Sequence, residues 1–78
     1  MPLSKHGPDA VSNRRLVNRL KDIRSAKGLT QAELAEQVGV SRKTINTVEN
    51  GVFIPSTQLA FTLAEVLKLR VDEIFSLE

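Results

Sequence analysis

Between Thr30 and Gly51, two short amphipathic runs are joined by only Gly39 and Val40, and that junction constrains the fold more than any other feature. Thr30 is a good N-cap, and Glu33 stands three residues on, as a capping box requires. Leu34 and Val38 follow at i, i+4 with Ala35 beside them, a narrow apolar stripe. Gly39 falls after the last apolar position, where a residue with positive φ is wanted. Ser41 then offers a second N-cap, Ile45 and Val48 continue the stripe at i, i+3, and Asn50-Gly51 ends the run. Helices separated by so short a turn cannot lie antiparallel and must cross at a steep angle. A small side chain at Ala35 suits their close approach.

The rest of the chain reads as more helix. Residues 1–13, with Pro2, Gly7 and Pro8, are expected to be a flexible arm, and residues 14–78 a single domain. Asp9 is a possible cap for a first helix carrying Leu16, Leu20 and Ile23 at i, i+4, i+7 until Gly28, with a start anywhere from Asp9 to Arg14. Pro55 biases Ile54 away from helix, so Val52–Pro55 is a loop. Ser56 caps a fourth helix with Leu59, Leu63, Val66 and Leu67 on its inner face. The pattern breaks near Leu69-Arg70, and residues 71–77 form a last short helix or an extended tail. Five helices and no strand are expected, an all-α domain.

Composition narrows the function. A chain of 78 residues buries only about 60 per cent of its unfolded surface, so its core is small and oligomerisation is expected. With no cysteine there is neither a disulfide framework nor a thiolate metal site, and no apolar run reaches a membrane span. A soluble, cytoplasmic protein is the expectation. The net charge of +2 is unevenly spread. Lys5, Arg14, Arg15, Arg19, Lys21, Arg24 and Lys27 face only Asp9 and Asp22, whereas acids outnumber bases beyond residue 30. Such asymmetry suits a polyanion on one side. The second capped run also opens on two bare cations, Arg42 and Lys43. A helix with that layout, braced by another behind it, is made to enter the major groove of DNA N-terminus first.

No active site is composed. Ser41, Thr30 and Ser56 are caps without a base-bearing histidine, Asp72 and Glu73 sit in an exposed turn, and His6 is a lone histidine in the arm. Neither an enzyme nor any cofactor or metal is expected.

From Leu20 to Phe75 the chain resembles the Cro/cI-type (XRE-type) helix-turn-helix regulators of bacteria and phages. The resemblance rests on Arg24, Leu29-Thr30-Gln31, Leu34-Ala35, Gly39-Val40-Ser41, Ile45, Glu49-Asn50-Gly51, Pro55, Leu59 and Asp72-Glu73-Ile74-Phe75. It implies a five-helix lambda-repressor-like domain that regulates transcription, usually as a homodimer, through sequence-specific binding to double-stranded operator DNA. On that pattern Arg42, Lys43, Asn46 and Thr47 read bases, while Gln31, Ser41, Thr44 and Asn50 contact phosphates. Arg24 and Glu49 match a structural ion pair between the first and third helices. The last helices and tail match a two-fold interface, with Leu67, Ile74, Phe75 and Leu77 expected in it. Arg70 departs from the family, which places a small cap there, and this leaves open a tail extended from Ile74 that pairs across the dimer. Arg14, Arg15, Arg19 and Lys21 are read mainly as solvated surface, with flanking phosphates the other possibility. A different class of function is an antitoxin or bridging cofactor, with a toxin or RNA polymerase as protein partner and DNA binding autoregulatory. A nonspecific chromosome-coating protein fits poorly with so modest a charge.

Overall fold

A computed structural model of the chain describes residues 14–78. The arm expected over residues 1–13, with His6 and the Asp9 cap, lies outside the described residues. Five helices and a two-stranded ribbon follow in the order β1 (Leu16–Asn18), α1 (Leu20–Ala26), α2 (Gln31–Val38), α3 (Arg42–Glu49), α4 (Thr57–Leu67), α5 (Val71–Ile74) and β2 (Phe75–Leu77).

Local chemistry sets the helix ends. Thr30 Oγ1 accepts from the Glu33 amide at 3.0 Å while Glu33 Oε1 accepts from the Thr30 amide at 2.8 Å, so the capping box is closed. The Ser41 and Ser56 hydroxyls accept from Thr44 N and Leu59 N at 3.1 Å each. Gly39 adopts φ of 86°, which a side chain would strain, and this turns the chain from α2 into α3. Arg70 begins α5 without a small cap. Its amide is satisfied by Glu73 Oε1 at 2.8 Å instead.

The core takes one stripe from every helix. Leu20, Leu34, Ile45, Val48, Leu63, Leu67 and Ile74 are fully buried, and Ala35, Ala64 and Phe75 fill between them. Three of these residues, Leu67, Ile74 and Phe75, were expected at a dimer interface. At 1, 0 and 7 % exposure they belong to the core, because so short a chain has few other large side chains to close its interior, although the edge of Phe75 also lines a surface groove. Leu77 alone of the four stays open, at 44 %.

Two further expectations are corrected at the chain's ends. Leu16 does not lie on the first helix, which starts only at Leu20; it belongs to β1. The extended tail is real but begins at Phe75, and it pairs antiparallel with β1 of the same chain rather than across a dimer. Leu16 opposes Leu77, and Asn18 opposes Phe75. Much of the basic N-terminal segment is occupied by this ribbon. Arg14 donates to the Leu77 and Glu78 carbonyls at 3.0 Å, Arg15 pairs with the Glu78 carboxylate at 3.1 Å, and Arg19 donates to Ser76 Oγ at 3.0 Å.

Asn18 joins the ribbon to the helices. Its Oδ1 accepts from Leu20 N at 3.0 Å, satisfying the first amide of α1, and its Nδ2 donates to the Val48 carbonyl at 2.7 Å, near the end of α3. Replacing Asn18 by Ala removes both bonds at once, leaving the first amide of α1 without its acceptor, while the Val48 carbonyl keeps the Gly51 amide at 3.0 Å. We expect Asn18→Ala to cost about 1–3 kcal/mol in urea denaturation, each lost hydrogen bond contributing about 0.5–1.5 kcal/mol.

Candidate nucleic-acid interface

α2 and α3 cross behind a surface made of the α3 N-terminus and the first turn of α2. Arg42 and Lys43 occupy the first two helical positions after Ser41 and are exposed, with no ion pair to either among the described residues. Cations at a helix N-terminus oppose its dipole, so no local interaction accounts for their placement. One turn on, Asn46 and Thr47 are half-buried on the same stretch. The Thr47 hydroxyl lies 3.0 Å from both the Lys43 and Thr44 carbonyls and donates back to its own helix. A contact from Thr47 would therefore be made by its methyl group or by its hydroxyl oxygen as an acceptor. Thr44 and Ser41 share a hydroxyl–hydroxyl bond of 3.0 Å at the cap, and Asn50 is exposed where α3 ends.

Behind this surface lies the ion pair. Arg24 grips Glu49 with both arms of its fork, Nε to Oε2 at 2.6 Å and Nη2 to Oε1 at 3.1 Å, and its Nη1 donates to the Leu29 carbonyl at 2.8 Å. The Glu49 side chain is only 1 % exposed and that of Arg24 12 %. Burial by itself would push the Glu49 carboxyl up. Hydrogen bonds from Arg24 and Gln31 outweigh burial, with the nearby charges of Arg24 and Lys21 adding to them, and hold the carboxyl below the usual range. The Glu49 bond in turn raises the Arg24 guanidinium against the opposing effect of burial.

Gln31 was expected to donate to a phosphate, and the structure revises this. Its Nε2 donates to Glu49 Oε1 at 3.0 Å and to Asn46 Oδ1 at 3.1 Å, which uses both of its hydrogens. Only its carbonyl oxygen remains, and an acceptor does not bind phosphate. What the first turn of α2 still offers an anion is its backbone N–H groups. Sequence reasoning missed two functional side chains here: Gln31 as an internal connector, and Asn18 behind Val48. Asn18 carries a weak signal, being a cap-forming residue next to the start of an apolar run; the role of Gln31 depends on tertiary contacts and has none.

A helix-turn-helix family model matches residues 20–74. Among curated relatives, an uncharacterised helix-turn-helix transcriptional regulator of Methanocaldococcus jannaschii is 43% identical over 61 residues, which is 78% of this chain and 92% of that protein. Among solved structures, the restriction-modification controller protein C.AhdI from Aeromonas hydrophila superposes with a TM-score of 0.68 at 36% identity, over 70% of this chain and 83% of that one. The DNA-binding domain of the P22 c2 repressor gives 0.66 at 28% identity, over 69% and 71%.

Because the Glu49 carboxyl is held low in the folded state, its contribution to stability is complete above the unfolded value, about pH 4.3. It is lost as pH falls through the lower folded value. Urea denaturation between pH 7 and pH 3 should therefore show stability falling below about pH 4.3. Glu49→Gln should cost about 3–5 kcal/mol at pH 7, since it leaves Arg24 uncompensated, and should flatten that acid limb.

Proposed function

This chain belongs to the Cro/cI-type helix-turn-helix family of transcriptional regulators, and from that premise we propose that it is a dimeric repressor reading a pseudo-palindromic operator through the major groove. The observation that carries the reading is the pair of cations Arg42 and Lys43 at the head of α3, exposed and without an ion pair among the described residues. An arginine so placed donates two hydrogen bonds to guanine O6 and N7, and a lysine reaches the same acceptors. Thr47 offers its methyl to a thymine methyl. The backbone N–H groups at the start of α2, with Ser41, Thr44 and Asn50, take phosphates and set the register without reading sequence.

So few reading side chains specify only a short half-site. Two copies, with half-sites about one helical turn apart, supply the rest. The surface proposed to join them is apolar. Leu16, Phe61 and Leu77 are 40, 61 and 44 % exposed, and Leu16 and Phe61 line one shallow groove with Ile54 and Val71. Repression then needs no more than occupancy of a promoter by the bound dimer.

Arg42→Ala tests this reading. The variant should fold as the wild type does, lose about 1–3 kcal/mol of operator binding, and relax its preference at one base pair per half-site. Titrations followed by fluorescence anisotropy at several salt concentrations measure both the loss and the phosphate count. An unchanged sequence preference in the folded variant would refute the role of Arg42.

A further inference from the structure

The polar groups behind α3 form a chain of hydrogen bonds whose direction is set from one end. Arg24 has only donors, so its partner Glu49 must be ionised and acceptor-only. Gln31 can meet Glu49 Oε1 only with its amide nitrogen, at 3.0 Å. The second hydrogen on that nitrogen points to Asn46 at 3.1 Å, and Asn46 can receive it only with Oδ1. Asn50 Nδ2 donates to the same Oδ1 at 3.3 Å. With Oδ1 turned inward and twice engaged, Asn46 keeps Nδ2 for the outside, where it has no acceptor among the described residues.

We infer that Asn46 is a donor-only specificity residue, with Gln31 as the positioning residue that sets its orientation. Resting on the reading of α3 as the major-groove helix, this assigns Asn46 a base edge that presents acceptors. Guanine, with O6 and N7, fits first; thymine, with O4, fits next. The usual asparagine contact to adenine is excluded, because it needs Oδ1 to accept from the adenine N6 amine while Nδ2 donates to N7. Asn46 therefore reads a different base from the one its residue type suggests. The cause is a charge pair buried two side chains away.

The test is selection of binding sites from random DNA at near-physiological salt, using the wild type, Asn46→Ala, Asn46→Asp and Gln31→Leu. The wild type should enrich guanine or thymine at one base pair per half-site, and Asn46→Ala should reduce that preference on the order of tenfold. Asn46→Asp has the same shape and still accepts from Gln31 and Asn50, but it turns an acceptor outward, so preference should move to cytosine with its N4 donor. Gln31→Leu leaves Oδ1 held only by the longer 3.3 Å bond from exposed Asn50, which an adenine amine can displace, and should admit adenine at that pair while other positions keep their preference, an effect that a merely structural glutamine would not have. Should Gln31→Leu fail to fold, Asn46→Asp decides alone, since it keeps the bonds that Asn46 makes within the protein. Adenine at the Asn46-dependent pair of the wild type, or motifs for Asn46→Ala and Asn46→Asp identical to the wild type's, would overturn the inference and leave the DNA-reading proposal standing. A wild type that enriches no motif would overturn both.

Discussion

The buried pair of Arg24 and Glu49 is the interaction on which the rest of this small domain depends. Taking two charges out of water is costly, and a chain of this size has little stability in reserve. The cost is offset by geometry: two parallel N–H···O bonds, a third bond from Arg24 to the Leu29 carbonyl, and a fourth donor from Gln31. Through these contacts the pair ties α1 to α3 across the turn that precedes α2, and it fixes the bracing helix to the one it braces. No side-chain polar atom buried in a non-exposed residue is left without a partner among the described residues. Removing either partner would leave a buried charge and unseat three helices together.

The same pair sets the chemistry of the outer surface. Glu49 decides how Gln31 faces, and Gln31 decides how Asn46 faces. The surface proposed to read bases is therefore not a row of independent side chains. Arg42 and Lys43 project freely from the head of α3, while the residues one turn later are held by bonds inside the protein: Thr47 by its own helix, Asn46 by Gln31 and Asn50. Restrained side chains lose less conformational entropy on binding than free ones, and they reject bases whose edge does not match. On the proposed reading, the helix head would contact bases with free side chains and its second turn with restrained ones.

Much of this was legible in the sequence wherever the chemistry is local. The caps at Thr30, Ser41 and Ser56 and the turn at Gly39 follow from residue types at fixed offsets, and the structure has all four. The ion pair came from the family pattern and not from spacing, since nothing near Arg24 in the chain announces a carboxylate 25 residues away. The ribbon was hidden. Leu16-Val17-Asn18 is too short to show a strand period, its partner lies at the far end of the chain, and Leu16, Leu20 and Ile23 imitate a helical repeat. The apolar residues near the C-terminus were seen, but periodicity does not tell a core face from a partner face, so Leu67 and Ile74, which are core, were expected at an interface.

The central claim, that two copies of α3 enter the major groove of one operator, is tested most directly by methylation interference on a selected site. Dimethyl sulfate methylates guanine N7 in the major groove and adenine N3 in the minor groove. Interference at guanine N7 in two clusters about 10 base pairs apart, centre to centre, is the result the account requires. Interference confined to adenine N3, or to one unrepeated cluster, would contradict it.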